Sequence, residues 1–273
     1  LMPVSRFRRS AGRWFVRLWD IWEARDLLHF LGWRTIKVRY KQTILGAGWA
    51  IIQPLCTMLL FSLIFGRLVR VPSDGTPYPV FVYCGLWPWQ LFAQCLAESS
   101  ASLVNNEHLI TKVYFPRLVV PLATVLISLL DFACAGVVLV GLLAYYGIGL
   151  TLRALCLPLL VILALAVALG VGLWLSALYV RYRDVRYVVP FLTQLWLFGT
   201  PIAYPASLVP EVWRPILGLN PLAGVVEGFR WALLGTGANV GELLAVSTLT
   251  AAVLLVSGLL YFSRMERTLA DVL

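Results

Sequence analysis

Apolar residues run almost unbroken over 49–69, 80–97, 118–146, 152–180, 188–203 and 240–262, separated by short polar stretches. In helical rise, about 20 such residues cross a hydrocarbon core about 30 Å thick. The pattern predicts an all-α integral membrane protein with six transmembrane helices. The fifth run is the shortest and carries Pro190 and Pro201. The stretch after it, 204–239, is too apolar for a solvated loop and too interrupted to cross, so it predicts a pair of short re-entrant or interfacial helices before the last span. Within it Asn220 and Pro221 supply N-cap and first-turn signals, and Gly235 a stop. Ahead of the first run, Trp14, Leu18, Ile21 and Leu28 fall on one side of a helix and Arg13, Arg17, Asp20 and Glu23 largely opposite, with Arg25 and Val16 breaking the pattern. This is an N-terminal amphipathic helix at the membrane surface, either a plain anchor or a docking surface for a partner.

Composition excludes a large soluble core: 60% of residues are hydrophobic and 13% charged, against about 25% charged in ordinary globular domains. The net charge of +9 is placed unevenly, and that placement orients the chain. Six spans with both termini cytoplasmic put Arg6, Arg8, Arg9, Arg13, Arg17, Arg25, Arg34, Lys37, Arg39, Lys41, Lys112, Arg117, Arg181, Arg183, Arg186, Arg264 and Arg267 inside, and only Arg67, Arg70, Arg153, Arg214 and Arg230 outside. Cationic loops stay on the untranslocated side, so the mirror topology is opposed. The same placement makes anionic lipid, not nucleic acid, the expected partner of the positive charge. Organisation follows: a cytoplasmic segment over 1–48, a transmembrane domain over 49–262 and a cytoplasmic tail over 263–273. No short apolar core with a small-residue cleavage site precedes Trp49, so the N-terminal segment is expected to stay on the mature protein. Cys56, Cys84, Cys95, Cys134 and Cys156 form no CxxC pair and read as reduced packing residues.

The chain carries no G-x-x-x-x-G-K-[ST] phosphate loop, and six spans leave too little chain for a nucleotide-hydrolysing domain. Any ATP is used by another polypeptide. His29 and His108 are the only histidines, neither HExxH nor GxSxG occurs, and no metal-ligand spacing is present. An enzyme acting in the membrane is therefore the weaker reading. Asp131 lies inside the third span, where an unpaired acid at the centre costs about 2.5–3.5 kcal/mol, so it should face protein or water and make an interhelical hydrogen bond or serve a proton relay. Glu227 and Arg230 lie one turn apart and suit a structural ion pair or, less well, a contact with cargo. Gln53, Gln90, Gln94 and Gln194 suit packing or a hydrophilic path. Trp87, Trp89, Phe92, Trp196, Phe198 and Tyr204 suit interfacial belts or the lining of a sugar conduit.

Five strings occur together: Lys37-Val38-Arg39-Tyr40-Lys41-Gln42-Thr43 with Leu45-Gly46 and Trp49; Leu109-Ile110-Thr111-Lys112-Val113-Tyr114-Phe115-Pro116-Arg117; Arg181-Tyr182-Arg183-Asp184-Val185; Thr200-Pro201-Ile202; and Leu219-Asn220-Pro221-Leu222. In order and spacing they resemble the permease subunit of ABC-2 type polysaccharide exporters, the family that moves O-antigen and teichoic-acid-like polymers. The resemblance runs from about Trp33 to the last span.

It implies a homodimer of six-span subunits in the bacterial inner membrane, bound to two ATPase subunits that carry ATP and Mg, with a lipid-linked polysaccharide passing through. By the same resemblance the segment 105–117 is the coupling helix: Asn105, Glu107, His108, Lys112, Val113, Tyr114, Phe115, Pro116 and Arg117 face the ATPase, with Tyr114 and Phe115 as anchors and Lys112 and Arg117 as a charged rim. Lys37, Arg39, Tyr40, Lys41, Arg181, Arg183 and Asp184 fall at the cytoplasmic interface. Trp196, Phe198, Pro201, Tyr204, Glu227 and Arg230 fall on the gate or the translocation path. A permease of the same fold for a small lipid or drug, or an enzyme acting on lipid-linked sugars, stays open as an alternative.

Overall fold

The computed structural model describes residues 22–41, 48–113, 115–236 and 240–272, with the side chains of 211, 214, 215 and 267–272 left undescribed. Trp14, Leu18 and Ile21 of the expected surface helix, and Tyr114, lie outside these residues. Among the described residues every regular element is helical. In chain order they are α1 (Arg25–Lys41), α2 (Gly48–Phe61) continued by a π-helical segment (Ser62–Leu68), α3 (Tyr78–Asn105), α4 (Glu107–Lys112), α5 (Val119–Tyr145), α6 (Leu157–Arg181, led in by a 3-10 turn), α7 (Val185–Gly199), α8 (Arg214–Leu219), α9 (Pro221–Leu234) and α10 (Val240–Val272).

Five helical stretches are long and apolar enough to cross a bilayer: Gly48–Leu68, Tyr78–Asn105, Val119–Tyr145, Leu152–Arg181 and Val240–Glu266. The chain is a multi-pass membrane protein. The remaining run, 188–203, falls largely on the 15-residue α7, about 22 Å long by helical rise and shorter than the hydrocarbon core. It stops at Gly199, and Thr200 leaves it with extended backbone ahead of Pro201.

α3 is the hub, packed on α2, α5, α6, α7 and α9. Of its most apolar stretch 72% is buried, against 17–28% for the other four spans, whose outward leucines and valines are left to lipid. α3 also runs past the expected end of its span at Ala97. Ser99, Ser100 and Ser102 are buried rather than solvated, because each hydroxyl donates back to a carbonyl three residues earlier and so needs no water.

Small residues set the helix contacts, as expected where lipid tails are as apolar as leucine and only close packing favours association. α6 meets α10 at Gly170 and Gly258, α6 meets α3 at Gly172 and Ser99, and α9 meets α10 at Gly224 and Ser247. The re-entrant stretch contains the two expected short helices. Asn220 caps α9 by accepting from the Leu222 N–H at 3.1 Å, Pro221 takes the first turn, and Gly235 ends it in the left-handed region with φ 73°. α9 is buried along almost its whole length, so it is a core helix.

Candidate functional site

Three groups of polar residues stand out along the bundle, and α3 passes all of them. At the end where α3 begins, Arg230 of α9 is fully buried. Its guanidinium donates to the carbonyls of Pro201 at 2.7 Å, Ile202 at 2.6 Å and Tyr204 at 3.4 Å, and to Glu227 Oε1 at 2.8 Å. A further bond reaches the Phe81 carbonyl at 3.4 Å, and the group lies 3.6 Å from the centroid of the Phe81 ring. Glu227 in turn accepts from the Ala206 N–H at 3.1 Å. The ion pair thus knots the chain leaving α7 onto α3 and α9 by matching a buried charge with a carboxylate and four carbonyls. Trp196 serves the same bracket: its indole N–H donates to Asn220 Oδ1 at 2.8 Å, and its ring meets Phe92 edge-on at 5.0 Å. Phe198 points outward and is exposed.

Midway along the bundle a cleft of about 330 Å³ opens between α2, α3 and α5. Gln53, Gln90, Gln94, Ser128 and Asp131 line it together with Trp49, Trp87 and Trp89. Trp87 is not a free platform, because it stacks on Phe132 at 4.2 Å and donates to the Phe132 carbonyl at 2.9 Å. At the cleft's edge sits the end of α1. Arg39 pairs with Glu98 of α3 at 3.2 Å and Asp131 of α5 at 3.4 Å, and the Tyr40 hydroxyl donates to Asp131. With its amide oxygen turned to the guanidinium, Gln94 accepts from Arg39 Nη2 at 2.9 Å. Burial first, then the hydrogen bond to Asp131 and its charge, push the Tyr40 phenol well above its ordinary pKa and keep it a donor.

The structure therefore joins two sets of residues that the sequence kept apart. Arg39 and Tyr40 are not simply interface residues, and Asp131 is offset by a cation from outside its own helix. Glu98 was missed. Its signal was Gln90, Gln94 and Glu98 at four-residue spacing, a polar stripe down one face of α3. Lys37 and Lys41 are exposed, as are Arg181, Arg183 and Asp184 on the turn between α6 and α7.

At the far end of α3, α4 is a single short helix after a kink at Asn106, whose amide donates to the Ser102 carbonyl at 2.9 Å. Ile110 and Phe115 turn inward, 7% and 6% exposed, into a cluster with Leu103, Leu118, Val119 and Phe262, with Ala24 and with Leu31 of α1. Phe115, expected as an anchor offered to a partner, instead fixes the segment to its own chain. Arg117 turns inward too: its backbone N–H donates to Glu266 Oε1 at 3.1 Å and its guanidinium to the Glu266 carbonyl of α10. Of the expected partner-facing residues, Asn105, His108, Lys112 and Val113 are exposed, with Glu107 and Pro116 half-buried. Phe115→Ala is expected to cost about 3–5 kcal/mol by emptying this cluster, read as a lowered melting temperature in detergent, whereas Val113→Ala, at an exposed position, leaves it unchanged.

The described residues thus form a multi-pass helical bundle with one buried hub, a short helix at one end of it and a polar-knotted hairpin at the other. The chain belongs to the ABC-2 type transporter family, whose profile matches residues 26–234. It is 32% identical over 249 residues to the O-antigen export system permease protein RfbA of Klebsiella pneumoniae, covering 91% of this chain and 95% of that one. The RfbA protein of Myxococcus xanthus is 29% identical over 215 residues, 77% of this chain and 81% of its own. The polysialic acid transport protein KpsM of Escherichia coli is 27% identical over 244 residues, 87% and 93% of the two chains.

Proposed function

We propose that this chain is the transmembrane subunit of an ATP-driven exporter that moves a lipid-linked, O-antigen-like polysaccharide across the bacterial inner membrane. The observation that carries this reading is the likeness to O-antigen export permeases over nearly the whole of both chains. The working unit is a homodimer joined to two ATPase subunits, which bind ATP and Mg and hydrolyse the nucleotide. With α7 and the extended chain after it as the remaining crossing, both termini lie in the cytoplasm, on the side favoured by the charge distribution. The segment 105–117 then faces the ATPase through Asn105, His108, Lys112 and Val113. Phe115, Ile110 and Arg117 hold that surface rigid. ATP alters the membrane subunit only if the ATPases bind it better in one arrangement than in another, so a stiff, well-fastened coupling segment is what such a linkage needs. The hairpin 204–239 closes the opposite mouth, where the Arg230 knot fixes the chain from Pro201 to Ala206.

Deleting the gene in its host tests the reading. Surface polysaccharide should disappear while lipid-linked polymer accumulates inside, and Lys112→Glu should lower surface polymer and polymer-dependent ATP hydrolysis at least tenfold with the protein still inserted. Normal surface polysaccharide in the deletion strain would favour a small lipid or drug as cargo. Purified protein that turned over a lipid-linked sugar without any ATPase subunit would make it an enzyme.

A further inference from the structure

α1 is fastened at both of its ends, and to the same unit. Ala24, just ahead of it, and Leu31 within it enter the apolar cluster that holds Ile110 and Phe115 of the coupling segment. In its middle Gly32 packs against the Leu126 side chain of α5 so closely that a Cβ there would collide with it. At its end Arg39 spans from Glu98 on α3 to Asp131 on α5, and Tyr40 adds a second tie to Asp131. α3 leads into the coupling segment and α5 leads out of it, so these contacts grip both flanks of one hinge. From Leu31 to Arg39 is about 12 Å along the helix. The chain then passes to α2, which forms the opposite wall of the polar cleft.

We infer that α1 is a rigid lever, and that Arg39 and Tyr40 are positioning residues which make it move as one body with the coupling segment and so carry that segment's displacement to the α2 wall of the cleft. The inference rests on the proposed ATPase-driven export. Two features favour a strut over a ligand site at the same place. The single guanidinium is already matched by two carboxylates, so the cluster offers no surplus positive charge to a phosphate. A guanidinium shared between acids on two helices also fixes direction and distance, which a sliding apolar contact does not. The side chains of Arg39 and Glu98 are 38% and 32% exposed. The Arg39–Glu98 pair is solvent-screened and contributes little to global stability, and Asp131, 15% exposed, keeps the Tyr40 hydroxyl as a donor when Arg39 is removed, so breaking the tie should disconnect motion from transport while leaving the fold standing.

The test uses the intact complex with its ATPase subunit, in the host, reading complex recovery, ATP hydrolysis and surface polysaccharide. Arg39→Ala is expected to keep the complex and to hold ATP hydrolysis within about twofold, with surface polymer at least tenfold lower. Arg39→Glu should be as poor, and combining it with Glu98→Arg should recover several-fold, which a merely lost side chain would not do. Should Arg39→Ala fail to accumulate, Tyr40→Cys with Asp131→Cys in a cysteine-free background replaces the tie. Export should be low without a bismaleimide linker and restored once the linker joins the two positions. Wild-type export by an intact Arg39→Ala complex, or no rescue by the linker in an intact complex, overturns the lever. Absence of polymer export by the unaltered complex would instead remove the proposed function beneath it.

Discussion

Arg230→Ala is expected to be among the most damaging single substitutions in the chain, lowering stability by about 3–5 kcal/mol, the range for removing one partner of a buried pair. The loss has two parts. The carbonyls of Pro201, Ile202 and Tyr204 lose their donor, and Glu227, 4% exposed, is left with only the Ala206 N–H to meet it. Lysine is a poor substitute, because a compact ammonium cannot reproduce a planar fork that meets carbonyls from three stretches of chain. Removing both charges with Glu227→Gln and Arg230→Met should cost less than Arg230→Ala alone, since no unpaired charge remains. Tryptophan fluorescence during thermal unfolding in detergent reads the stability. Limited proteolysis should show new cutting over 201–210 in Arg230→Ala and little in the double variant. Equal stability of Arg230→Ala and wild type would mean that the knot is incidental to the hairpin.

The parts of this architecture that the sequence displayed are those governed by local rules. Hydrophobic run length placed the long spans, and Asn220, Pro221 and Gly235 marked α9 because capping is chemistry within a few residues. Where tertiary contacts decide, the reading fell short in recognisable ways. The serines of α3 looked like an exit from the membrane because their polarity counts against burial, yet backbone carbonyls one turn earlier satisfy them. The shortness of α7 was hidden because its residues are apolar, yet the helix stops at Gly199 ahead of Pro201. Phe115 and Arg117 stand in a motif that invites a surface role, while their partners, Phe262 and Glu266, lie some 150 residues away in the chain. The pairing of Arg39 with Asp131 and Glu98 was hidden for the same reason. A cation read as topology and an acid read as an intramembrane cost proved to be two halves of one contact.

Gly258→Leu is the second substitution expected to do great harm, through overlap rather than lost bonding. A Cβ at Gly258 would strike the carbonyl oxygen of Gly170, and one at Gly170 would lie 2.7 Å from the Leu255 nitrogen and 2.8 Å from the Leu254 carbonyl carbon. These neighbours are backbone, so they cannot rotate aside. α6 and α10 can admit the larger side chain only by separating. In lipid no hydrophobic force draws the helices back together, so the dispersion lost along the whole contact is not recovered. Overpacking of this kind costs about 1–3 kcal/mol or more. α10 also carries Glu266, which holds Arg117, so its displacement should loosen the segment 105–117 as well. Gly141→Leu on α5 is the matched control: nothing lies within 4 Å of a Cβ there, and its melting temperature should equal that of wild type. Gly258→Ala should fall between the two. If Gly258→Leu instead melts with the control, the close approach of α6 and α10 does not hold the bundle together, and its stability must come from the α3 contacts alone.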